Sequence, residues 1–301
     1  MTAAEVRYEV GDGVATLTLN RPEKLNAVTS QTIRELVEAF DRADADDTVR
    51  AVIVPGLAAP SARGRPELGA RTFDSAARGR AETAEEHRDD GGLVTLRLYD
   101  ITKPVIAAIN GPAVGFGITL TLPMDVRIAA REARLGFVFA RRGVVPEACS
   151  TWFLPRLVGI SQAQEWVLTG RLFSAEEARA GGLVSRVVAP EALLPTAREL
   201  AREIAAKPSA ISAALARQMM WKLLGADHPR AAHTPRLPRD LLDGTLRRRP
   251  RGRHGVRREA AGPLHARAEQ GHAALLSLVG IASRLTCTLV ALHLAPSCLS
   301  G

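Results

Sequence analysis

The run Val105-Ile106-Ala107-Ala108-Ile109-Asn110 is apolar without alternation and passes directly into Gly111-Pro112-Ala113-Val114-Gly115-Phe116-Gly117. An apolar run of this length, bounded by a turn signal, reads as a strand buried on both faces. The glycines and the apolar stretch 118–123 that follow read as a tight turn into a helix. A buried strand feeding a helix points to an α/β architecture. Free N–H groups at such a helix start can bind a phosphate or an oxyanion. Close strand–helix packing is the plainer explanation of the same turn from the pattern alone. A dinucleotide fingerprint does not fit, because the third glycine is missing and no acid follows a second strand at suitable spacing.

The flanking segments agree with this class. Residues 14–19 alternate small or polar with apolar residues and predict a strand, with residues 5–10 extended beside it. Asn20-Arg21-Pro22-Glu23 is a turn signal. Ser30 has N-cap chemistry, and Ile33, Leu36, Val37 and Phe40 recur at helical spacing, which predicts an amphipathic helix over 30–44. Residues 51–54 predict a strand. Residues 55–92 lose all periodicity and read as a long loop, with a helix starting near Gly91. A strand is expected at 125–129. Helices are expected near 151–158, 162–169, 175–181, 190–206 and 209–224.

Charge divides the chain. Residues 1–229 contain 28 Lys and Arg against 28 Asp and Glu, so the whole net charge of +8 lies in the last quarter. That quarter has arginine but no lysine. The high pI therefore says little about the first 229 residues. The cysteines, Cys149, Cys287 and Cys298, form no close pair, which argues against a disulfide framework or a structural zinc site. Residues 1–12 carry no apolar run, so no signal peptide is expected and a cytoplasmic location is the default.

Four segments in order resemble the crotonase superfamily, the enoyl-CoA hydratase/isomerase family: VATLTLNRPEKLNAV, TKPVIAAINGPAVGFGITLTLPMDVRIA, RLGFVFARRGVVPEACSTWFLPRLVG and TGRLFSAEEARAGGLVSRVV. The likeness covers about residues 5–54 and 92–229. It implies a crotonase-like spiral of ββα units with C-terminal helices, acting on acyl-CoA thioesters. Residues 1–200 would form the core and 201–233 the start of a C-terminal helical region that builds trimers or dimers of trimers. No metal or redox cofactor is implied, and CoA enters as part of the substrate. Two backbone N–H groups would hold the thioester oxygen as an enolate develops. The resemblance places them at Phe116 and Arg63, with Leu25, Ala27, Gly64, Gly115 and Pro146 as substrate-binding positions.

The resemblance also shows what is missing. Hydratase-type members carry one glutamate three residues after the Gly-turn donor and another after the Leu-Gly pair. Here those positions hold Thr119 and Phe139. The acid in this neighbourhood is Glu147, similar in position to the single catalytic glutamate of the isomerase branch. That branch moves a double bond by taking a proton from C2 and returning it at C4. The plain alternative is an acid favoured by the dipole of a helix starting near Ser150. Asp125 and Arg127 are expected to be strand-end structure, Trp152 and Phe153 core, and Cys149 a small buried residue.

Two places break the pattern. After residue 54 the family's first oxyanion loop is replaced by GLAAPSARGRPEL. With GC-rich codons, residues 59–63 read two bases later give Ala-Phe-Cys-Ala-Gly, the family text. After His233, a one-base shift likewise yields family-like text, so residues 234–301 are expected to be an atypical, frameshifted tail. A genuine Arg-rich nucleic-acid arm over 247–258 is the alternative. The apolar stretch 273–295 is long enough to span a bilayer, but Arg284 and His293 interrupt it. Neither nucleic acid nor membrane is the expected partner.

Overall fold

The computed structural model describes residues 4–56 and 89–228, apart from Leu25 and Lys207. Arg63, Gly64, the proposed frame shifts and the tail from 234 lie outside the described residues. Two compact units divide the chain. The first is Met1–Ala226, and the second, Asp227–Gly301, contributes two described residues.

A six-stranded sheet carries the first unit. It is built from β1 (Val6–Gly11), β2 (Val14–Leu19), β3 (Ala51–Pro55), β4 (Val105–Ile109), β6 (Val126–Ala130) and β9 (Arg186–Val188), in that spatial order. The β1–β2 pair is antiparallel and every other pairing is parallel. Every residue of β4 is buried, as its unbroken apolar run requires. Val52, Val54, Val105, Ala107 and Ile109 belong to one core layer, with α1 (Ser30–Ala45) and α2 (Asp90–Asp100). Ala51, Ile53, Ile106 and Ala108 belong to the other, closed by Leu193, Ala197 and Ala201 of α7 (Pro190–Ala206). Residue 200 falls within α7, whose inner face closes this layer.

A second, three-stranded sheet joins β5 (Ala113–Val114), β7 (Arg134–Gly136) and β8 (Phe173–Ser174). From β5 the chain passes into α3 (Phe116–Thr119), a single turn. A helix was expected to extend through 118–123. It stops sooner because Pro123 and the entry into β6 redirect the chain. The remaining helices are α4 (Ser150–Val158), α5 (Ile160–Thr169), α6 (Ala175–Ala180) and α8 (Ala210–Leu223). Ser30 begins α1, but the cap is Thr29. The Thr29 hydroxyl accepts from the Thr32 N–H at 3.1 Å, and the Thr32 hydroxyl accepts from the Thr29 N–H.

Two buried arginines hold the layers that support the site. Arg127, expected at a strand end, is buried and donates to the carbonyls of Leu183, Thr121 and Leu122. Arg217 of α8 pairs with Asp125 at 2.8 Å and donates to the carbonyls of Leu98 at 2.7 Å and Ile101 at the end of α2. Asp125 also accepts from the Trp221 indole at 2.9 Å and the Val105 N–H at 2.7 Å. The C-terminal helix is thereby tied to both the sheet and α2. Among the described residues, no helix is long and apolar enough to cross a membrane.

Candidate active site

The Gly turn is built as its sequence demands. Gly115 has φ +61° and ψ −125°, a conformation that residues with a Cβ rarely adopt. Its N–H donates to the Gly136 carbonyl at 3.0 Å, which pins the turn to β7. Phe116 follows as the first residue of α3, where a backbone N–H has no partner within the helix. Among the described residues this N–H meets no hydrogen-bond acceptor. The Phe116 ring packs half-buried against the main core.

Glu147 reaches the same place from the loop before α4. Its Oε1 accepts from the Thr119 hydroxyl at 2.6 Å. The Ser150 hydroxyl and N–H cap the Glu147 carbonyl at 2.6 and 3.0 Å. Ala148 and Cys149 then take left-handed backbone conformations, with φ of +56° and +55°. Cys149, expected to be buried, is half-buried at the N-cap of α4, where it packs against the edge of the main core rather than inside it. Burial pushes its thiol up from its ordinary value.

The third wall comes from α2, which sequence reasoning left out of the site. Gly91 lies so close to Glu147 that a Cβ there would overlap Oε2 and stand 2.9 Å from the Phe116 ring. Asp89 caps the helix: its Oδ1 accepts from Gly92 N–H at 2.7 Å and from Ala148 N–H at 2.9 Å. Asp-Asp-Gly-Gly before an apolar run is an N-cap signal, but its neighbour across the fold is not written in it.

Burial raises the Glu147 carboxyl to about 7, against the pull of the Thr119 hydroxyl, and the Asp89 carboxylate adds to the rise. A helix dipole acting on an exposed acid would have the opposite sign. A carboxyl poised near neutrality, beside a Gly turn whose N–H has no acceptor among the described residues, can move protons at a carbon next to a polarised carbonyl.

The chain matches the enoyl-CoA hydratase/isomerase family model over residues 9–236. The chain belongs to this family. It is 38% identical over 229 residues to the enoyl-CoA hydratase ACTT3 of Alternaria alternata, covering 74% of this chain and 73% of that protein. It is also 38% identical over 200 residues to 1,2-epoxyphenylacetyl-CoA isomerase of Escherichia coli K12, covering 66% of this chain and 76% of that protein. A solved structure of a probable enoyl-CoA hydratase/isomerase from Mycobacterium abscessus superposes with TM-score 0.65 at 36% identity, over 74% of this chain and 83% of that one. The fold is the crotonase fold, and the chain is a crotonase-family enzyme that processes acyl-CoA thioesters.

The other family positions fall as follows. Asn26 Nδ2 donates to the Gly56 carbonyl at 3.3 Å, and Arg21 donates to the Ala27 carbonyl. The turn that holds Ala27 is thus latched to the end of β3. Ser30 Oγ donates to Asp90 at 3.2 Å, which brings the start of α1 to the start of α2. Pro146 is half-buried beside Glu147. Thr119 and Phe139, read as missing acids, have distinct fates. Thr119 holds Glu147, whereas Phe139 is buried in the core beyond the end of β7. Leu25, Arg63 and Gly64 are outside the described residues. Among the described residues no group of three His, Cys, Asp or Glu side chains could hold a metal ion.

Proposed function

We propose that this family member is an enoyl-CoA isomerase that shifts a double bond from the 3- to the 2-position. Glu147 is the acid/base and the Phe116 N–H is one oxyanion donor. The observation that carries this reading is the carboxyl of Glu147, half-buried, raised to about 7 and held at one oxygen by Thr119. With Oε1 engaged, Oε2 is the oxygen left to take a proton from C2. The dienolate's negative oxygen is stabilised at the Phe116 N–H, an interaction whose removal in other enzymes costs about 10²–10³ in rate. The acid then returns the proton at C4. One carboxyl suffices because the proton leaves and re-enters on the same face.

Hydration is the second reading, and Asp89 is the observation that favours it, as a second carboxylate beside Glu147. Its Oδ1 is already committed to two backbone N–H donors, which suits a structural partner better than a group that activates water. Glu147→Gln separates the outcomes. Isomerisation of 3-enoyl-CoA should fall by on the order of 10²–10⁴ while acyl-CoA binding persists. Wild-type turnover in that variant, or fast hydration of crotonyl-CoA by the native protein, would overturn the proposal.

A further inference from the structure

Asp89 has a place in the fold that neither the helix cap nor the reaction fully accounts for. A helix cap needs one N–H acceptor contact. Asp89 makes that contact to Gly92, and the same oxygen also takes the N–H of Ala148, the residue directly after Glu147. Ala148 is buried and held at φ +56°, a conformation that alanine does not favour by itself. The clamp therefore fixes the turn that aims Glu147. Gly91, one turn-step along, lets the two carboxyls approach, because any Cβ there would overlap Glu147 Oε2.

We propose that Asp89 is a positioning residue for Glu147: it clamps the left-handed turn behind the glutamate onto the start of α2, and it stands as a second carboxylate beside the first. The inference deepens the isomerase reading and rests on Glu147 being the working acid, but its test does not require that reaction.

Each acid of the pair has one oxygen engaged. Asp89 Oδ1 is occupied by two N–H donors, and Glu147 Oε1 accepts from Thr119. Neither Glu147 Oε2 nor Asp89 Oδ2 meets an N–H or hydroxyl donor among the described residues, and the buried Glu147 is the acid whose proton affinity is raised. The groups that act on the Glu147 carboxyl are few. Thr119 comes from α3 and Asp89 from the cap of α2. Cys149, along the same loop, is coupled to both acids as a thiol. Gly91 and Phe116 bring no charge. A negative charge at Asp89 opposes ionisation of Glu147 and adds to the effect of its burial.

The test is a direct titration of the ligand-free protein. Carbon-13 NMR of labelled glutamate carboxyls is followed against pH, and the Glu147 signal is identified by its loss in Glu147→Gln. Asp89→Asn keeps an acceptor for both N–H groups and removes the charge. The midpoint of Glu147 should fall by about one pH unit in Asp89→Asn, with the Ala148 amide still protected from hydrogen exchange. Asp89→Ala should lose that protection as well. An unchanged midpoint in Asp89→Asn would overturn the charge role, and unchanged Ala148 protection in Asp89→Ala would overturn the clamp. If Asp89→Asn does not fold well enough for NMR, Asp89→Ser, also a good N-cap, is read by the same criteria. A shifted midpoint in a protein that fails to isomerise 3-enoyl-CoA would leave this inference standing and remove the reaction assignment alone.

Discussion

Gly91→Ala should separate the stability of this fold from its chemistry. Gly91 lies in the first turn of α2, and its φ is not positive, so alanine fits the backbone. Replacing glycine by alanine inside a helix is favourable by about 1 kcal/mol. The added Cβ, however, would overlap Glu147 Oε2 and stand 2.9 and 3.0 Å from two carbons of the Phe116 ring. The carboxylate is the far end of a flexible side chain and can retreat cheaply, but it must move by about 1 Å to reach ordinary contact. That movement pulls Oε1 from the Thr119 hydroxyl, now at 2.6 Å. The ring must tilt as well, and it is carried by the residue that offers the oxyanion N–H. A misplacement of about 1 Å can cost on the order of 10² in rate. The expected result is a melting temperature within a few degrees of wild type and a kcat for 3-enoyl-CoA isomerisation lower by about two orders of magnitude. The assay pairs calorimetry with a coupled isomerase measurement at saturating substrate. A well-folded Gly91→Ala protein with wild-type kcat would refute the steric argument and the assignment of Oε2 as the working oxygen.

Other consequences follow from the same geometry. Thr119→Val keeps the shape of a buried side chain and removes its donor. A hydrogen bond to a charged group contributes about 1.5–3 kcal/mol, so kcat should fall by roughly 10–10²-fold, and the pH at which activity is half-maximal should rise. The rate itself should climb with pH through about 7, since Glu147 must be ionised to accept a proton. Stability linked to this group has the opposite trend: it is complete below the ordinary value of 4.5 and lost as pH rises through about 7, and Glu147→Gln should flatten that slope in thermal melts. Arg217→Met should cost about 3–5 kcal/mol, read by chemical denaturation, because it removes the cation paired with part-buried Asp125 and the donors to several carbonyls in the α2–α8 contact.

The local vocabulary of the fold was legible from residue order alone. The unbroken apolar run of β4 demanded burial on both faces, and Gly115 demanded a backbone that other residues avoid. Both are properties of a residue and its near neighbours. Glu147 was legible as a candidate because the acids at 119 and 139 were absent and the flanking motif matched a known pattern. The sequence could not assign Thr119 its role. Read alone it was a missing acid, and only its approach to Glu147, 28 positions away, makes it a donor. Asp89 and Gly91 were hidden for the same reason. A cap signal states that an N–H in the next turn will be met, but not that the same oxygen also takes an N–H some 59 positions later. Arg127 was legible as strand-end structure alone, until burial gave its donors carbonyls to meet. Sequence by itself determined the longer strands and helices and the Gly turn, since those follow from side-chain period and backbone freedom; the two- and three-residue strands β5, β7, β8 and β9 exist only through their pairing. The tertiary structure alone decided which polar atoms face each other in a low-dielectric pocket, and that juxtaposition sets the proton affinity and aim of Glu147.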